Sequence, residues 1–140
     1  MNDRWLFLLS KVHFAVTVHF KKELKKEGLD ITTGQFAIMI ALEQTGQTSM
    51  GDLSRILDID NSAITRLVDK LEKKQWVERR INPEDRRQML VTITNLGLEK
   101  AVILKRIARS ANAKIQEGFS DAEMITFKKI NQGIIQKFTG

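Results

Sequence analysis

Cysteine is absent from the 140-residue sequence. That removes disulfide stapling, cysteine-ligated zinc and thiol redox sensing together. Proline occurs once and low-complexity tracts not at all, so little of the chain is expected to be disordered. Histidine occurs twice, at His13 and His19, and no glycine-rich phosphate loop is present. With so few nucleophiles, bases and phosphate-cradling segments, an enzyme is not expected. Long hydrophobic runs are missing as well. The richest stretch, Trp5 to Phe20, is interrupted by Lys11, His13 and His19 and is followed by Lys21, Lys22, Lys25 and Lys26. It is shorter than the ~20 apolar residues a bilayer crossing needs, and no small-residue cleavage site follows it. Neither a membrane span nor a signal peptide is expected, and the cytoplasm is the expected location.

What remains is ordinary for a globular protein: 42% hydrophobic and 29% charged residues, enough to close one core without staples. The formal net charge of +6 favours acidic partners such as nucleic acid. Its distribution tempers that reading, because residues 51–96 hold nine Lys/Arg against eight Asp/Glu, whereas residues 97–140 hold eight against four. The functional case therefore rests on where individual charges stand.

Periodicity and caps predict helix, helix, helix, helix, hairpin, helix, helix. The first helix is predicted from about Asn2 to Lys26, ending near Gly28 with a lysine-rich last turn suited to the helix dipole. Trp5, Leu8, Leu9, Val12, Val16 and Phe20 make one face, while Phe7, Phe14 and Val18 lie off it. A helix apolar nearly all round is buried on more than one side, and in a chain this small the second side points to another subunit. Thr32 or Thr33 caps a second helix to about Thr45, stopped by Gly46. Thr48 or Ser49 starts a short helix carrying Leu53, Ile56 and Leu57, with Ser49 and Asp52 at capping-box spacing. Asp58-Ile59-Asp60 turns the chain, and Asp60 or Asn61 caps a helix to about Gln75. Two short helices joined by so tight a turn make a helix-turn-helix. Trp76–Ile81 and Gln88–Thr94 read as strands of a hairpin whose turn opens on Asn82-Pro83. Thr94 caps a long helix to about Gly118, with Leu98, Ala101, Val102, Ala108, Ala111 and Ile115 on one face. Ser120 caps the last helix, where Phe127, Ile130 or Asn131, Ile134 and Phe138 recur at helical spacing.

On the helix from Asn61, Ile64, Leu67, Val68 and Leu71 form a core stripe, and Ser62, Thr65, Arg66, Asp69 and Lys73 form the opposite one. Small hydroxyls near a helix N-terminus followed by arginine suit a major groove. The backbone approaches closely, hydroxyls reach base edges or phosphates, and arginine grips guanine O6 and N7. Taken alone, this face reads equally as the solvated side of an amphipathic helix. The adjoining hairpin adds weight, because its tip carries Arg86 and Arg87, placed as a wing that inserts arginine into a narrow minor groove. Asp85 and Glu84 beside the arginines either neutralise that tip or orient Arg87 by an ion pair.

The stretch MGDLSRILDIDNSAITRLVDKLEKKQWVERRINPEDRRQMLVTITNLG resembles the MarR family of bacterial transcriptional regulators. The resemblance is carried by Leu53, the segment Ser62-Ala63-Ile64-Thr65-Arg66-Leu67-Val68, Leu71-Glu72 and Val77-Glu78-Arg79. Asp85-x-Arg87 and Val91-Thr92-Ile93-Thr94-x-x-Gly97 complete it. It implies a mainly α fold with a small β-hairpin wing: a winged helix-turn-helix joined to a helical dimerisation domain made by the N- and C-terminal helices. The implied divisions are an N-terminal dimerisation helix over 1–31, the DNA-binding region over 32–95, and C-terminal dimerisation helices over 96–140 interlocked with 1–31. The implied function is a homodimeric regulator, expected to be a repressor, reading a pseudo-palindrome in double-stranded DNA. By position, Asn61, Ser62, Thr65 and Arg66 face the major groove and Ser49 a phosphate. Arg86 and Arg87 form the wing tip, with Arg87 in the minor groove, and Asp85 positions the wing. Many members have Gly-Leu where this chain has Gln75-Trp76. Glycine suits a left-handed C-cap, so Gln75 either strains that turn or lengthens the helix, and Trp76 is expected to pack where leucine would.

The resemblance also implies a small aromatic or phenolic effector that lowers DNA affinity, and Trp5, His13, Phe36 and Met39 are candidates to line its crevice. Helix residues of these types serve a core equally well. His13 and His19 lie six apart, about 120° around a helix, so they do not chelate one ion from that helix. No metal site and no cofactor are expected. Two rival functions stand beside the DNA reading: a winged-helix protein-interaction module that binds no DNA, and a metal-responsive regulator.

Overall fold

The computed structural model describes residues 4–139, and the predicted helix start at Asn2 lies outside them. The order is α1 (Trp5–Lys26), α2 (Thr33–Thr45), β1 (Gln47–Ser49), α3 (Met50–Leu57), α4 (Asn61–Lys73), β2 (Val77–Ile81), β3 (Met89–Ile93), α5 (Asn95–Gln116) and α6 (Asp121–Thr139). The chain forms two compact units, Met1–Ala108 and Arg109–Gly140, with α5 contributing to both.

In the first unit, short-range chemistry starts and stops each helix. The Thr32 hydroxyl accepts the Gln35 amide at 3.2 Å while the Gln35 side chain accepts the Thr32 amide at 2.8 Å, a complete capping box. Gly46, at φ 75°, ends α2. Ser49 caps α3 through the Asp52 amide, and Asp58 takes a left-handed φ of 53° to make the turn. Asp60 caps α4 by accepting the Ala63 amide at 2.8 Å.

The end of α4 decides between the two expectations for Gln75. The helix stops at Lys73, and Gln75 adopts φ 63°, so it occupies the strained left-handed position. The Trp76 amide then donates back to the Leu71 carbonyl at 3.1 Å, the closure that usually accompanies glycine there. Trp76 is buried.

The strands form an antiparallel sheet in the order β1-β3-β2. Val77 pairs with Ile93 and Ile81 with Met89 along the hairpin, and Gln47 pairs with Thr92 on the other edge. The hairpin follows the expected pattern; β1 was not anticipated, because three residues carry too little periodicity to reveal a strand. Behind the sheet, Ile38, Leu42, Leu53, Ile64, Val68, Leu71, Val77, Val91 and Leu104 join one core. Leu67 is half-buried against it and packs on Gly34, where a Cβ would approach its Cδ1 to 2.9 Å and require the leucine side chain to shift.

Two predicted apolar faces lie largely open within the single chain. On α1 only Phe20 and Leu24 are buried, while Trp5 (66% exposed), Phe14 (71%), Leu8, Leu9, Val12 and Val16 stand open. On α5 the buried residues are Gly97, Ala101, Leu104 and Ile107, whereas Leu98 and Val102 are exposed. The start of the helix sets this rotation. The Thr94 hydroxyl donates to the Gln75 carbonyl at 2.7 Å and accepts the Gly97 amide at 3.0 Å. That seats Gly97 against Trp76 so closely that a Cβ would lie 2.1 Å from the Trp76 carbonyl oxygen.

The second unit is a helical hairpin. Gly118 turns the chain at φ 84°. The Ser120 hydroxyl then accepts the Glu123 amide at 3.2 Å, and the Glu123 carboxylate accepts the Ser120 amide at 2.8 Å. Ile115, Phe119, Glu123, Met124 and Phe127 line a cavity of about 320 Å³. No residue of α6 is buried.

Candidate nucleic-acid interface

The α4 core stripe turns Ile64, Val68 and Leu71 wholly inward, so the other side of the helix faces outward with Asn61, Ser62, Thr65 and Arg66 exposed. At its N-terminus the Asp60 carboxylate accepts the Ser62 hydroxyl at 2.7 Å as well as the Ala63 amide. The Ser62 hydroxyl, that amide and the charge of Arg66 hold the Asp60 carboxyl below its ordinary value. One turn on, the Thr65 hydroxyl donates to the Asn61 carbonyl at 2.9 Å. Ser49 is buried, with one lone pair committed to the α3 cap, and its hydroxyl proton remains to offer to a phosphate, which only accepts.

The wing is built from its turn outward. The Asn82 amide donates to the Gln88 carbonyl at 3.0 Å and the Asn82 side chain bonds Gln88 Oε1 at 3.1 Å. Asp85 accepts the Arg87 backbone amide at 3.1 Å and its Nε at 3.2 Å, while the Arg87 side chain remains 92% exposed. Asp85 therefore aims Arg87 without burying it. Arg86 is exposed at the same tip.

A residue to which the sequence assigned no site role joins these two parts. Arg79, on β2, places Nη2 2.5 Å from Asp69 and 2.9 Å from Glu72, both on α4, and its backbone amide donates to Glu72 at 3.1 Å. The guanidinium and amide of Arg79 hold the Glu72 carboxyl below its usual range, and the two carboxylates raise the Arg79 pKa. The one hint in sequence is two carboxylates a helical turn apart. The family motif includes Arg79, but no local chemistry assigns it the ion pair over Arg80, which instead reaches Gln47 on β1 at 3.3 Å.

The four candidate effector residues are placed separately. Trp5 and His13 are exposed on α1, Met39 is fully buried in the core, and Phe36 packs against that core with its ring edge-on to Phe20 at 4.9 Å. Among the described residues no three His, Asp or Glu side chains form a group able to hold a metal ion, and no helix is long and apolar enough to cross a membrane.

A helix-turn-helix flanked by an arginine-tipped hairpin defines the winged helix-turn-helix class. Comparison with known proteins narrows it. The model of the MarR family matches residues 31–89. The multiple antibiotic resistance protein MarR of Escherichia coli (strain K12) is 39% identical over 69 residues, 49% of this chain and 48% of that protein, so the match spans about half of the relative's length. The HTH-type transcriptional regulator SarZ of Staphylococcus haemolyticus (strain JCSC1435) is 31% identical over 108 residues, 77% of this chain and 72% of its own. The crystal structure of a mutant E. coli MarR complexed with operator DNA shares the fold at a TM-score of 0.84 and 23% identity, covering 95% of this chain and 94% of that one. The chain belongs to the MarR family, whose members are transcriptional regulators and not enzymes.

Proposed function

We propose that the protein is a cytoplasmic repressor that binds a pseudo-palindromic site in double-stranded DNA as a homodimer. The observation that carries this reading is the coupling of α4 to the hairpin through Arg79. It ties an outward hydroxyl–arginine face to an arginine-tipped wing, a link that a groove reader needs and a soluble surface does not. In this reading Asn61, Ser62, Thr65 and Arg66 enter the major groove, the Ser49 hydroxyl proton goes to a phosphate, Arg86 supports the wing contact and Arg87 enters the minor groove, held by Asp85. The exposed apolar residues of α1 and α6 support pairing of residues 1–31 and 96–140 between two copies, leaving 32–95 as the DNA-binding part. Two such helices then meet successive major grooves roughly 34 Å apart. A small aromatic or phenolic anion that fits one spacing of the two DNA-binding parts shifts the population away from the competent one. Trp5, His13, Phe36 and Met39 remain the residues proposed to respond.

Selection of bound duplexes from a random library, with affinity followed against salt, tests this. An inverted repeat with a steep salt slope is expected, since each neutralised phosphate releases counterions. No enrichment from a well-folded protein points instead to a protein-interaction module. Arg87→Ala is expected to weaken binding with the dimer intact. Arg66→Ala is expected to cost about 1–3 kcal/mol at one base position.

A further inference from the structure

A hydroxyl has one proton and two lone pairs, so it meets a base edge in one of two ways. It donates to a carbonyl, as in guanine O6 and thymine O4, or it accepts from an amino group, as in cytosine N4 and adenine N6. On α4 both outward hydroxyls have already committed their proton. Ser62 donates to Asp60 Oδ1 at 2.7 Å, and Thr65 donates to the Asn61 carbonyl at 2.9 Å. Asp60 is not free to turn away, because the same oxygen caps the helix through the Ala63 amide at 2.8 Å. Its carboxyl is held below the ordinary range, so at neutral pH it is charged and remains an acceptor. A hydroxyl proton held by a carboxylate is held more strongly than by a neutral carbonyl, so a base carbonyl does not draw it off. Thr65 is locked less firmly, its competitor being another neutral carbonyl, and its γ-methyl adds an apolar contact.

We propose that Ser62 and Thr65 are acceptor-only readers: at the two bases they face they select an amino-bearing base, cytosine or adenine, and reject guanine and thymine. Arg66, which makes no ion pair among the described residues, is then the charged donor of the face and the reader suited to guanine. In the major groove every base pair presents one amino group, cytosine N4 or adenine N6, so what Ser62 and Thr65 decide is which strand carries it. The inference rests on α4 entering the major groove.

The test uses the full chain and the duplex it selects. Adenines and cytosines of the half-site are replaced one at a time by purine or pyrimidin-2-one, which lack the exocyclic amino group. One such replacement is expected to weaken wild-type binding about three- to tenfold beyond its effect on Ser62→Ala, and a second beyond its effect on Thr65→Val. Comparing variant with wild type on both duplexes subtracts the cost of the weakened base pair. Both side chains are exposed, so the variants keep the fold. If no replacement couples to either residue, the inference is overturned while a steep salt slope leaves the DNA reading standing. If no duplex is enriched, the DNA reading falls and takes this inference with it.

Discussion

Helices α4 and α6 are both amphipathic, yet their apolar stripes meet opposite fates. On α4, Ile64, Val68 and Leu71 are wholly buried beneath α2, α3 and the sheet. On α6, Phe127, Ile130 and Ile135 are about half exposed and Phe138 is 85% exposed. A stripe states that a helix requires a cover; it does not state which chain supplies it. The unit Met1–Ala108 is large enough to enclose a core, whereas the hairpin of Arg109–Gly140 is too small to do so by itself.

The sharpest way to break this comparison is to truncate both stripes. Leu71→Ala is expected to lower stability in denaturant by about 2–5 kcal/mol while leaving the oligomeric state in sedimentation unchanged. Ile130→Ser and Phe138→Ser are expected to weaken self-association at least about tenfold. Unaltered sedimentation of those two would mean that no second copy covers α6.

Close packing distinguishes glycines in the same way. Gly97→Ala sets a Cβ against a backbone oxygen that has no way to yield, and a loss of about 1–3 kcal/mol or more is expected in thermal unfolding. Gly51→Ala, in α3 with nothing within 4 Å, is expected to gain up to about 1 kcal/mol from helix propensity. Equal effects would mean that the seat of α5 on Trp76 is loose.

Left-handed positions offer a smaller, paired test. Gln75→Gly relieves a side chain at φ 63°, and Gly118→Ala imposes one at φ 84°. Changes of about 1 kcal/mol are expected, a gain at the first and a loss at the second. A loss at both would show that the Gln75 side chain contributes more than its backbone costs.

The smallest effect is electrostatic. Glu72 has a depressed folded pKa, so its ion pair stabilises the folded state above the unfolded value near 4.5 and that contribution fades as pH falls through the folded value. Both partners are partly solvent-exposed, which limits the contribution to under about 1 kcal/mol. The stability gap between wild type and Arg79→Met is therefore expected at pH 7 and should shrink below about pH 4.5. A gap that does not narrow would assign the role of Arg79 to packing.

Much of the fold was legible because its signals act over three or four residues. The caps at Thr32, Ser49, Asp60, Thr94 and Ser120 each satisfy a helix amide from a residue close in the chain, and the inward stripe of α4 follows from the helical repeat alone. The outward face of Ser62, Thr65 and Arg66 was legible as the complement of that stripe. Its hydrogen-bond polarity was not, because the side chain that takes the Ser62 proton was open between capping at Asp60 and at Asn61.

Local chemistry in the sequence thus determined where the helices begin and end, that a hairpin follows α4, and that Gln75 would either strain its turn or extend its helix. Tertiary structure alone decided that Gln75 turns left-handed, that β1 adds a third strand, that within the chain α5 buries Gly97 and Leu104 while Leu98 and Val102 stay open, and that Arg79 ties β2 to Asp69 and Glu72. The physical reason is that each of these depends on groups that meet only when the chain closes on itself. A cap carries its partner three residues away, whereas a seat, a sheet edge or an ion pair between elements is specified by the packing of the whole unit.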